Sequence, residues 1–185
     1  MEVAAGDLVV ASLSQARRAK RRFGAVITLE DPGIRLGQTL RFHRKPSPAH
    51  LILDCEDVDD DSLGIRVANA DQVDKALIFA RQHAAKSLLV HCLHGVGRSV
   101  AIGLAVLAER LGPSQEDQAV KILFQIRPSA TPNLVVTRLA DFQLGRQGAL
   151  VDALARWEAR HPEMAQKRAE RLNFARANLH LYDRL

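Results

Sequence analysis

The chain has 185 residues, 26 Lys and Arg against 21 Asp and Glu, a formal charge of +5, and 47% hydrophobic residues, which is the balance of one globular domain with a sizeable core. No window reaches the run of about 18 apolar residues that crosses a bilayer, and residues 1–7 lack a basic cluster followed by an apolar stretch, so membrane insertion is excluded and a cytoplasmic location is the expectation. One Trp and one Tyr are too few stacking platforms for a nucleic-acid partner; two cysteines and seven scattered histidines make neither a disulfide framework nor a zinc spacing, so no metal and no cofactor are expected.

Leu8-Val9-Val10-Ala11-Ser12-Leu13 has the length and apolarity of a strand. Residues 14–22 are polar and helix-compatible, with Ser14 available as an N-cap. A second strand spans residues 24–29 and stops at the Asp31-Pro32-Gly33 turn signal, and residues 33–48 read as loop. A third strand covers 50–55, and an acidic loop, Glu56-Asp57-Val58-Asp59-Asp60-Asp61, follows it. Asn69 caps a helix running to about His83. Ser87-Leu88-Leu89-Val90-His91 is nearly continuous in apolar character, as a strand covered on both faces is.

The second half is helical. Residues 100–111 form a strongly apolar helix, and Gly112-Pro113-Ser114 closes it and opens the next, with Ser114 as cap. Thr131-Pro132 opens another, Thr as cap and Pro at the first position, running to Gly145. A further helix spans 148–159, and residues 162–185 are helical in propensity and rich in Arg. The expected organisation is an α/β domain over 1–160 and a basic helical extension over 161–185 docked on it. The basic residues of 17–22 and of the tail read as solvated helix faces, with an anionic lipid or inositol phosphate as the rival reading for 17–22.

Chemistry concentrates in His91-Cys92-Leu93-His94-Gly95-Val96-Gly97-Arg98-Ser99, where a strand runs into a cysteine, five residues, Arg-Ser and an apolar helix. A helix N-terminus offers unpaired N–H groups and a positive dipole end. A loop wrapping back from the strand adds inward N–H groups, and Gly95 and Gly97 permit the close approach this needs. Leu93 to Gly97 would cradle a phosphate through the backbone, and the planar fork of Arg98 would grip two of its oxygens. The same donors favour a thiolate on Cys92, beneath the anion it must attack, and Ser99 is placed to bond the sulfur. A lone cysteine reads better as a packed core residue. Five jointly specified positions, His91, Cys92, Gly95, Arg98 and Ser99, coincide by chance in fewer than about one chain in ten thousand, and that decides for a chemical site.

These residues resemble the signature of the cysteine-based protein tyrosine phosphatases, His-Cys, two residues, Gly, two residues, Arg-Ser/Thr, and are most similar to the compact dual-specificity-like branch and its small bacterial relatives. The resemblance implies a central, mainly parallel sheet flanked by helices, with the phosphate loop between a central strand and a helix, in agreement with the element order. It implies a phosphorylated protein or another phosphoester as substrate, and a general acid on a separate loop. Asp57, at 92 − 57 = 35 residues before Cys92, matches that acid, with Asp59, Asp60 and Asp61 as neighbours open to the same role. An acid is needed there because an alkoxide or phenolate leaves poorly unless protonated. Asn133 matches a Pro-Asn that supports the loop or orders water, and His91 is a further supporting residue. Cys55, at the strand end before the acid loop, is a candidate redox partner or a packed thiol. The absence of lysine from the loop lowers an inositol phosphate reading, and a phospho-binding module without turnover is the rival from another class. A shallow, tolerant pocket is expected for a chain of this length.

Overall fold

The structure is a computed structural model that describes residues 8–184; residues 1–7, read above as carrying no leader, and Leu185 lie outside the described residues. The strands are β1 (Leu8–Ser12), β2 (Ala25–Glu30), β3 (Ala49–Asp54) and β4 (Leu88–Cys92). They form one sheet in the order β1-β4-β2-β3 with every pairing parallel. The helices are α1 (Leu13–Ala19), α2 (Ala70–Gln82), α3 (Arg98–Leu111), α4 (Glu116–Ile126), α5 (Leu134–Gln143), α6 (Ala149–Glu158) and α7 (Pro162–Ala177). No helix among the described residues is long and apolar enough to cross a membrane.

Period-2 alternation sorts the sheet into two faces. Ala25, Ile27 and Leu29 of β2 and Leu88, Val90 and Cys92 of β4 enter the main core with α2 to α6, while Val26 and Leu89 point to a smaller cluster under α1. Every residue of β4 is buried, the double coverage its apolar run called for. Helix α3 is buried continuously from Arg98 to Ala108 and forms the spine of the larger layer. Gly103 lets it lie against β1, since a Cβ there would stand 2.7 Å from Val10 Cγ2.

Three caps differ from the sequence expectation. Ser12, not Ser14, caps α1, in a capping box with Gln15. Ser114 adopts φ 64° and leaves the cap position of α4 to Gln115. Asn133, not Thr131, caps α5: its side chain accepts from Val136 N–H at 3.0 Å. An Asn competes well with Thr for this position, and Pro132 still precedes the helix.

Helix α7 docks on the body. Met164 and Ala175 are buried, and Ala175 packs with Val58 and Ile65 and with the partly buried Leu179 and Tyr182. An antiparallel bridge between Ile65 and Arg184 fastens the following segment. The parallel sheet directs the C-terminal ends of β1, β2, β3 and β4 to one edge, bringing Ser12, Glu30, Asp54 and Cys92 to the same side of the molecule.

Candidate active site

Cys92 ends β4, and the next five residues wrap over its sulfur before α3 begins at Arg98. The Sγ is contacted by the Gly95 N–H at 3.2 Å and by Ser99 Oγ at 3.1 Å. Gly95 has φ +69°, and a Cβ on it would lie 2.5 Å from Ala11 C and Ser12 N, so the loop folds down onto the end of β1 only with glycine there. The outer side of the loop is braced by the segment before α5. Arg127 Nε donates to Gly95 O at 2.9 Å, Thr131 N to Val96 O at 2.8 Å and Asn133 N to Gly97 O at 3.3 Å.

Arg98 is 2% exposed, and its guanidinium faces the ends of β2 and β3. It donates through Nη1 to the Cys55 carbonyl, pairs through Nη2 with Asp31 Oδ1 at 2.7 Å, and has Asp57 Oδ2 3.8 Å from Nε. Burial alone would lower its proton affinity, but Asp57, Cys92 and Asp31 together raise it, which keeps it a cation. Asp31 was read from the sequence only as part of a turn signal.

Asp57 leans over Gly97, where a Cβ would collide with both carboxylate oxygens. Asn133 Nδ2 donates to Asp57 Oδ1 at 3.0 Å and to Val58 O at 3.0 Å. Asn133 therefore holds the acidic loop 56–61 with its side chain and the loop 92–98 with its backbone. Asp59 and Asp60 pair with arginines of α7, and Asp61 pairs with Arg138 at 3.2 Å.

His91 Nε2 lies 2.8 Å from Thr28 Oγ1, which also lies 2.7 Å from His50 Nε2. One hydroxyl between two imidazoles donates to one and accepts from the other, so the two rings take complementary tautomers. Burial is the main cause that pushes both histidines down to about 4, so both are neutral at physiological pH. Cys55 is buried with its thiol pushed up to about 12, chiefly by burial, and neither cysteine is in a disulfide.

A cleft of about 510 Å³ opens above the loop. Arg98, Asp57, Asp31 and Glu56 line its polar side, and Leu93 and Val96 rise from the loop itself. Arg171 and Phe174 of α7 and Tyr182 line it as well. Leu93, 36% exposed, and Phe174, 55% exposed, give the rim an apolar character. The basic stretch 17–22 is largely committed elsewhere: Arg17 donates to Gly37 O and Thr39 O, Lys20 to Arg41 O and Arg21 to Pro46 O.

No protein-family model and no curated protein matches this sequence. Its fold is shared with solved structures. A human tyrosine phosphatase-like serine/threonine/tyrosine-interacting protein superposes with a TM-score of 0.61 at 19% identity, over 77% of this chain and 93% of that one. Human DUSP28 gives a TM-score of 0.51 at 21% identity over 78% and 95% of the two chains. PTPMT1 in complex with PI(5)P gives 0.51 at 20% over 75% and 91%. The chain thus has the α/β fold of the compact, dual-specificity-like branch of the cysteine-based phosphatases.

Proposed function

We propose that this chain is a phosphomonoesterase that works through a phosphocysteine on Cys92 and prefers aryl phosphoesters of the phosphotyrosine type. The observation that carries the reading is the sulfur of Cys92, contacted by Gly95 N–H and Ser99 Oγ under a loop whose Leu93, Val96 and Arg98 line a cleft together with Asp57. Those two contacts and the positive end of α3 surround the sulfur with polar groups that can meet the charge it carries as it attacks and leaves.

The thiolate attacks phosphorus in line with the ester oxygen, forming the S–P bond as the P–O bond breaks. Asp57 gives its proton to the departing oxygen, and the backbone N–H groups of Leu93 to Gly97 with Arg98 carry the charge of the equatorial oxygens. In the second half, the Asp57 carboxylate takes a proton from water as its oxygen attacks phosphorus and the S–P bond breaks. Ser99 Oγ stabilises the returning thiolate. The apolar rim of Leu93, Phe174 and Tyr182 suits a flat aromatic ring above the phosphate. The commitment of Arg17, Lys20 and Arg21 to backbone carbonyls favours this reading over a lipid headgroup.

The test is hydrolysis of an aryl phosphate, with chelator present, by wild type, Cys92→Ser and Asp57→Asn. Loss of all turnover in Cys92→Ser and a fall of about 100-fold or more in Asp57→Asn are expected. Turnover that survives Cys92→Ser overturns the phosphocysteine reading, and a folded wild type without turnover favours a phospho-binding module.

A further inference from the structure

We propose that helix α7 sets the position of the acid loop, with Arg171 and Arg168 as positioning residues that act on Asp57 through Asp59; this rests on the reading of Asp57 as the general acid. Asp59 has a side chain only 4% exposed. A carboxylate so far from water is stable only when paired and hydrogen-bonded. Its partners are the Leu134 N–H at 2.8 Å, Arg168 Nη1 at 3.0 Å and Arg171 Nη2 at 2.6 Å.

The two arginines reach further. Arg168 donates to Pro132 O at 3.0 Å and pairs with Glu158 at 3.0 Å, and Arg171 donates to Thr131 O at 3.4 Å. Thr131 and Pro132 belong to the same stretch, residues 127–133, that braces the phosphate loop through Arg127, Thr131 and Asn133. One network therefore joins α7, the acid loop and the nucleophile loop through two guanidinium groups.

The rest of the acid loop is held from the same side. Asp60 pairs with Arg176 at 3.1 Å, Glu56 accepts from Asp183 N at 3.0 Å, and Val58 packs on Ala175. Five of the six residues from 56 to 61 are acidic, and such a run repels itself when unpaired. Arginines of α7 neutralise Asp59 and Asp60 on either side of the backbone turn, and Asp57 is left aimed over Gly97 into the cleft.

The test is a series of aryl phosphates whose leaving phenols run from strongly to weakly acidic, hydrolysed by wild type, Arg171→Met, Arg171→Lys, Asp59→Asn and Asp57→Asn, and by the double variant Arg171→Met with Asp57→Asn. Thermal melts confirm folding, and Arg176→Ala, at an exposed pair, stands in for any variant that does not fold. For Arg171→Met, kcat/KM, which reports only the steps up to release of the phenol, is expected to fall about tenfold with the weakly acidic phenol and progressively less as the phenol becomes more acidic, because an acid matters most where the leaving group is poor. Arg171→Lys restores most of the loss, since a point charge can meet a single carboxylate oxygen. In the Asp57→Asn background, Arg171→Met brings no further loss. A loss equal across the series, or one that multiplies with that of Asp57→Asn, overturns the proposal. If the loss in Asp57→Asn is itself equal across the leaving groups, the acid assignment falls and the proposal falls with it; if only the loss in Arg171→Met is equal across them, the acid assignment stands and the positioning role is wrong.

Discussion

Asn133 Nδ2 is 3.0 Å from Asp57 Oδ1, while the other end of the same amide accepts from Val136 N–H and caps α5. The residue therefore couples the start of a helix to the carboxylate proposed to move the proton. Asn133→Ala is expected to lose about 1 kcal/mol of stability from the missing cap and to lower kcat/KM more for poor leaving groups than for good ones. A melting curve with a leaving-group comparison checks both, and equal losses for all substrates would contradict the link to Asp57.

Gly95 and Gly97 predict opposite kinds of damage. A Cβ on Gly97 meets the Asp57 carboxylate, so Gly97→Ala should displace the acid, leave the sulfur able to react with a thiol-alkylating reagent, and mimic Asp57→Asn in kinetics. A Cβ on Gly95 meets the backbone of β1 at 2.5 Å in a residue with φ +69°, so Gly95→Ala should disturb the loop itself and reduce turnover of every substrate. Parallel alkylation and turnover measurements separate the two cases.

The loop signature was legible because it is local: strand end, sulfur, glycines, arginine and helix start follow one another within nine residues, and their contacts close over short sequence distances. The parallel sheet was legible from strand–helix alternation. Asp31 was not, since its meeting with Arg98 depends on β2 lying beside β4, a matter of strand order rather than of pattern. Arg168 and Arg171 read as a solvated face because periodicity sees neighbours on the same helix, and their shared partner, Asp59, lies more than a hundred residues away. Asn133 was picked out as support, but which group its amide would reach required the fold.

The trio of buried His91 and Thr28 with half-buried His50 gives the fold an acid-sensitive window. Both histidines are pushed from 6.5 to about 4, mainly by burial. Between those values the unfolded chain takes up protons that the folded chain refuses, so their contribution is full above pH 6.5 and is lost as the pH falls towards 4. His91 accounts for about 3 kcal/mol over the window, from 1.36 kcal/mol per unit, and the more open His50 for less because solvent screens it. Melting temperatures taken from pH 7 to 4.5 should fall steeply, and His50→Gln should make the fall shallower. Glu56, raised by burial, works in the opposite direction but is common to both proteins. Parallel curves for the two would remove His50 from the account.

Phe174 projects from α7 into the cleft with 55% of its surface exposed. Phe174→Ala should raise KM for aryl phosphates about fivefold, in keeping with about 1 kcal/mol for one partly buried aromatic contact, and should leave kcat nearly intact. Alkyl phosphates should be affected less. Steady-state kinetics on both substrate types check this, and a shared fall in kcat would assign Phe174 to folding rather than to the substrate ring.

Arg98 already has counter-charges, Asp31 at 2.7 Å and Asp57 at 3.8 Å, and Glu56 lines the same cleft with its carboxyl raised by burial. Under the proposed function, a phosphate dianion that enters must share the guanidinium with these carboxylates, and its charge would strengthen further the hold of Glu56 on its proton. Ligand capture would thereby be a proton-coupled event. Calorimetric titration with an oxyanion inhibitor, in buffers of unequal ionisation heat, should register net proton uptake and tighter binding as the medium is acidified. The acid side of the working range would then be governed by occupancy as well as by the chemical step.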